Sequence, residues 1–146
     1  MKTRLWEEWD MKEHACAFVD EETNTKLEAV RFRLQNALRV MGTKYLKPQY
    51  RSHWTPDRPT TGYCYIVSEI IHHFLLNGQS KPHLIRLESG GTHWFLKLPS
   101  GQIVDWTADQ FDRPIPYGRA KPAGFLTKTP SKRSLVLASL LGLTQT

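Results

Sequence analysis

The chain has 146 residues, 40% of them hydrophobic and 23% charged, with a formal net charge of +6. Such a composition supports one domain with one sizeable core and excludes a wholly disordered chain. Acids and bases interrupt every short apolar run of the opening MKTRLWEEWDMKEH, which leaves no signal peptide or transmembrane span and points to cytoplasmic residence.

The first part, residues 1–42, reads as helical. Leu5, Trp9 and Cys16 fall on one stripe, and Thr25-Lys26-Leu27-Glu28 has the pattern of a capping box that opens a second helix. Leu27, Val30, Leu34, Leu38 and Met41 then recur at helical spacing, and Gly42 can close the helix. Residues 43–62 hold Tyr45, Tyr50, Trp54, Pro56 and Pro59, too many large groups for a linker, and read as an ordered loop. A third helix is predicted from Tyr63 to Leu76, stopped by Asn77-Gly78. The period then changes to that of strands. His83–Glu88 alternates, Gly90-Gly91 turns, and Thr92–Leu98 and Gln102–Thr107 flank Pro99-Ser100-Gly101 as a hairpin. Residues 108–129 read as irregular, and a last helix should start near Pro130 and end before Gly142. This order gives an α+β fold with helices packed on a small antiparallel sheet, a single domain spanning 1–146.

Cys64 sits at the predicted head of the third helix, where the helix dipole favours a thiolate and free amides can receive an oxyanion. On the hairpin, a turn near Ser100-Gly101 sets His93 opposite Asp105 and Phe95 opposite Ile103, on one face. A carboxylate beside an imidazole fixes its orientation and leaves the other ring nitrogen for a thiol. Taken singly, a helical cysteine is usually a small buried hydrophobe and a strand histidine usually structural. The combination of nucleophile, base and orienter carries the inference. Trp94 and Trp106 are expected as core or as pocket wall beside the triad, and Gln110 as a hydrogen-bonding neighbour of the site, with Phe111 in the core. His72 and His73 point to different faces, and no zinc-ligand spacing exists, so no metal and no cofactor are expected. Gly90-Gly91 lacks the lysine of a phosphate loop. With no export signal, Cys16 and Cys64 are expected as free thiols.

Gly62-Tyr63-Cys64, His93-Trp94 and Asp105 followed by Thr107 resemble the Cys, His and Asp motifs of papain-like and transglutaminase-like proteins. A longer set is similar to the small YunG-like family of bacterial and phage proteins. It comprises Trp54-Thr55-Pro56, Gly62-Tyr63-Cys64, Gly91-Thr92-His93-Trp94 and the run Gly101-Gln102-Ile103-Val104-Asp105-Trp106-Thr107-Ala108-Asp109-Gln110-Phe111. The likeness covers residues 54–140 and implies a papain-like Cys-His-Asp core. That family often has glutamine before the cysteine where this chain has Tyr63, so the Cys64 amide, with Trp54 or another loop donor, would have to hold the oxyanion.

The function expected is cysteine-dependent acyl transfer, chiefly hydrolysis of a peptide, isopeptide or amide bond in a protein or peptide substrate. The alternative is a catalytically retired fold acting as a binding protein, for example a phage or mobile-element factor. Past Asp112 no acid remains, and Arg113, Arg119, Lys121, Lys128, Lys132 and Arg133 form a basic segment that could meet an acidic partner or nucleic acid.

Overall fold

The structure, a computed structural model, describes residues 21–88 and 90–143. The Leu5, Trp9 and Cys16 stripe lies outside the described residues. Helix α1 spans Glu21–Met41 and buries Leu27, Val30, Leu34, Ala37, Leu38 and Met41, the stripe read from the sequence. It is already helical at Glu21, so Thr25 lies inside the helix and does not cap it. Every buried residue of α1 lies at or beyond Leu27, so burial, at roughly 1.5–3 kcal/mol per large aliphatic side chain, holds the helix from there on, and the turns before it extend into solvent past Thr25. Gly42 ends it with φ 58°.

A short helix, α2 (Pro48–Arg51), lies in the ordered loop. Helix α3 covers Cys64–Ile70, and Ile71–Leu75 continue it as a π turn, which divides the predicted Tyr63–Leu76 helix in two. Asn77 and Gly78, with φ 51° and 76°, stop it as expected. The sheet has strand order β3-β2-β1-β4, from β1 (Lys81–Arg86), β2 (Thr92–Lys97), β3 (Ile103–Val104) and β4 (Lys121–Pro122), all antiparallel. Strand β4, from the segment read as irregular, adds to the free edge of β1. Single 3-10 turns at Ala108–Gln110 and Tyr117–Arg119 order the rest of that segment. Helix α4 spans Lys132–Leu140. Its N-cap is Ser131, whose hydroxyl accepts from the Ser134 amide, so Pro130 stands outside the helix instead of at its first position.

The sheet separates two apolar clusters. Leu96, Leu98, Val104 and Trp106 join α1, α3 and α4 in the larger one. Ile85, Phe95 and Ile103 face the other way, against Ala108, Ile115 and Tyr117. The architecture is α+β, helices on a small four-stranded antiparallel sheet.

The hairpin register differs from the expected one. Lys97 pairs with Ile103 and Leu96 with Val104, with Leu98 and Gln102 closing the turn, so the pairing is slipped by two residues. A left-handed Gly101 (φ 89°) lets the three residues Pro99-Ser100-Gly101 make the loop, two fewer on the β2 side than the expected pairing allows. Asp105 is thus diagonal to His93, not opposite it. Because the slip is even, both remain on one face.

Candidate active site

Gly62 sets the entry to α3. Its φ of 79° is a left-handed conformation, and a Cβ there would lie 2.8 Å from the Leu46 side chain and 2.9 Å from that of Tyr50. Tyr63 occupies the N-cap position and Cys64 the first helical position, so the Cys64 amide has no intrahelical acceptor. The thiol is 8% exposed and bonded to no other described cysteine. Its Sγ lies 3.9 Å from the Thr92 carbonyl oxygen, which brings the helix head to the start of β2.

The next residue on β2 is His93, fully buried. Its Nε2 and Asp105 Oδ2 are 2.7 Å apart, and both side chains are inaccessible to solvent. The other ring nitrogen, Nδ1, is buried without a hydrogen-bond partner. Burial alone would push the imidazole pKa down. The charge and hydrogen bond of Asp105 prevail, joined by the adjacent Cys64 sulfur, and hold it up at about 10. The imidazole is therefore cationic at neutral pH, with Asp105 on one nitrogen.

Asp105 is itself surrounded by donors. Tyr117 donates its hydroxyl to Oδ2 at 2.7 Å, and the Thr107 amide and hydroxyl both donate to Oδ1 at 3.3 Å. With His93 these occupy the acceptor capacity of an ionised carboxylate. The run from Asp105 to Phe111 builds most of the site. Gln110 accepts from the Gly62 amide at 3.2 Å and donates to the Thr107 carbonyl at 2.9 Å. Asp109 accepts from Thr60 at 2.7 Å, and Phe111 meets the His93 ring edge-on at 4.9 Å between centroids.

Of the other expected residues, Trp94 and Gln110 stand at the site and Trp54 and Tyr63 turn to other partners. Trp54 donates its indole N–H to the Pro59 carbonyl at 3.0 Å, so it is not an oxyanion donor. Tyr63 is fully buried with its hydroxyl on the Gly42 carbonyl, turned away from the sulfur. Gln110 commits its amide to Thr107, which makes it a tether of the Cys64 loop to the strand. Trp106 takes the core option, buried on the helix side, and its edge lines a groove with Asp105, Arg31, Gln35 and Asp109, separate from the cleft at Cys64. Trp94 does line the cleft at Cys64. His72 Nδ1 is 2.7 Å from the Ser80 hydroxyl, and no group of three potential metal ligands occurs among the described residues. Arg133 is not part of a solvated tail: it is half-buried, donates to the Tyr45 carbonyl at 2.9 Å and faces the same cleft. Tyr117 was missed because its aperiodic surroundings give no local signal. Thr107, already part of the recognised motif, could have been read as a partner of Asp105.

The family model described as YunG protein matches residues 26–136. This chain belongs to the YunG protein family. The match begins well before residue 54, so most of α1 belongs to the part that YunG proteins share. Neither the curated proteins nor the solved structures hold a match to it. No helix among the described residues is long and apolar enough to cross a membrane.

Proposed function

We propose that this YunG protein is a cysteine-dependent acyl-transfer enzyme with a papain-like core, hydrolysing a peptide, isopeptide or amide bond. One observation carries the reading: a buried imidazole, bonded through Nε2 to a saturated carboxylate, has no oxygen or nitrogen partner for Nδ1 among the described residues and interacts there with the sulfur of a cysteine at a helix head. A buried donor without a strong acceptor costs about 1–3 kcal/mol, so a structural histidine would be expected to have one.

The Cys64 sulfur, attacking as the thiolate beside the His93 imidazolium, forms a bond to the carbonyl carbon, and the π electron pair moves to oxygen beside the Cys64 amide. On collapse the carbon–nitrogen bond breaks, and the leaving amine takes the Nδ1 proton of His93. Water then gives a proton to Nδ1 as its oxygen adds to the thioester. The acid departs, and the sulfur regains its starting state. Asp105 keeps its charge throughout and orients the ring.

A peptide vinyl sulfone, which accepts the sulfur at its activated double bond, tests the reading. Cys64→Ser and His93→Ala should abolish labelling at position 64. Labelling of the His93→Ala protein at the wild-type rate would remove the mechanism. The commitment of Trp54, Tyr63 and Gln110 to other partners leaves no expected side-chain oxyanion donor, and this favours the second reading, a retired fold that binds a protein. In that case the probe labels neither protein above the rate of a small free thiol.

A further inference from the structure

Beside Cys64 runs a cleft of about 300 Å³, lined by aromatic and apolar groups and by two cations, Lys47 and Arg133, with no acid among its walls. We propose that Lys47 and Arg133 form an anion-recognising subsite and that the acyl donor attacked by Cys64 carries a carboxylate next to an apolar or aromatic group. The inference rests on the acyl-transfer reading above and names its substrate class.

Three observations support it. First, neither cation forms an ion pair with any described residue, although Arg133 is half-buried. Desolvating a charge without a counter-charge is unfavourable, and a carboxylate entering the cleft supplies one. Second, Arg133 is held in place. Its Nη1 donates to the Tyr45 carbonyl at 2.9 Å, which leaves the rest of the guanidinium fork free, and that geometry suits a carboxylate. Glu69, which could neutralise it from α3, directs both oxygens to Ser131: Oε2 accepts from the amide at 3.1 Å and Oε1 from the hydroxyl at 2.6 Å. Third, most of the remaining wall is aromatic or aliphatic. Tyr65 meets Trp94 edge-on at 4.9 Å, with Phe125 stacked behind Trp94 at 5.9 Å, and Tyr50, Leu84 and Leu126 add to the lining beside Thr92 on β2. Two cations in a small aromatic cleft fit a single acid on an apolar residue better than a polyphosphate chain, which needs a longer basic track.

The test compares two reagents of nearly equal size, iodoacetate and iodoacetamide. Each forms one sulfur–carbon bond and releases iodide, and only the first is anionic. The Cys64 peptide of the full chain is followed by mass spectrometry, so that Cys16 does not interfere. Wild-type protein should react faster with iodoacetate, and the rate ratio should fall at least about fivefold in both Lys47→Gln and Arg133→Gln. An unchanged ratio in the two variants overturns the subsite. Lys47 is exposed, so its variant keeps the test decisive if Arg133→Gln misfolds. The acyl-transfer reading fails separately, when iodoacetamide alkylates wild type and His93→Ala equally fast. Protection of Cys64 by N-acetylglutamate α-amide assigns a side-chain carboxylate, and protection by N-acetylphenylalanine assigns a terminal one. Protection by a short single-stranded oligonucleotide and by neither acid overturns the proposal in favour of nucleic acid.

Discussion

The buried His93–Asp105 pair gives the protein a characteristic dependence of stability on pH. The imidazole has an ordinary pKa of 6.5 and is held at about 10 in the fold. A histidine raised in this way stabilises the native state fully below the unfolded value. That contribution is lost as pH rises through the window between the two values, because the native state then binds more protons than the unfolded chain. One such proton gives a slope of up to about 1.4 kcal/mol per pH unit, so stability should fall by a few kcal/mol between pH of about 6.5 and 9.5. Neighbouring groups bound the window. His72 and His73 are lowered, mainly by burial, so they reduce stability only below about pH 6.5, where the unfolded chain takes up their protons. Tyr63, pushed up to about 12 by burial, reduces it only above about pH 10. Urea unfolding followed by tryptophan fluorescence at half-unit pH steps would give the curve. His93→Gln should be less stable at neutral pH and show a much flatter profile across the window. Parallel wild-type and variant curves would refute the ion pair as the source.

Further expectations follow from the same geometry. Tyr117→Phe removes one of the donors on Asp105 and should lower stability by about 1.5–3 kcal/mol, the range for a hydrogen bond to a charged group. It should also slow Cys64 alkylation, with urea unfolding and iodoacetamide kinetics as the two readouts. Gly62→Ala forces a Cβ against Leu46 and Tyr50 from a left-handed backbone. It should cost roughly 2–4 kcal/mol through strain and overpacking and depress labelling by the vinyl sulfone more than Gly42→Ala does. Glu69→Gln should weaken the anchoring of α4 through Ser131, measurable as faster amide exchange in Lys132–Leu140 with smaller changes in α1.

The sequence was most legible where a local period or a local backbone requirement was decisive. The apolar stripe of α1, the Asn77-Gly78 stop and the Pro99-Ser100-Gly101 turn needed no knowledge of distant residues. The hairpin register was legible only to parity: alternation places His93 and Asp105 on one face, whereas the two-residue slip depends on the left-handed Gly101 in the loop. Side-chain polar partners were the least legible. Trp54 and Tyr63 offered donors in the right stretch, but each found a nearby backbone carbonyl, at Pro59 and Gly42, which a pattern of residue types cannot reveal. Tyr117 reaches Asp105 from a proline-rich segment whose path is set by packing against Phe95 and Ile115. Arg133 read as one of a row of bases open to an acidic partner, whereas α4 turns it toward Tyr45 and the cleft.

Helix α3 holds the sulfur at one end, and one and a half turns later its Glu69 carboxylate grips the start of the helix that bears Arg133. On the proposed acyl-transfer reading, reactivity and selectivity share one helical strut. Changes that re-aim α3 would disturb both at once, so divergence in preferred substrate should fall on the cleft lining at Lys47, Leu84 and Leu126, which can vary while the strut stays fixed.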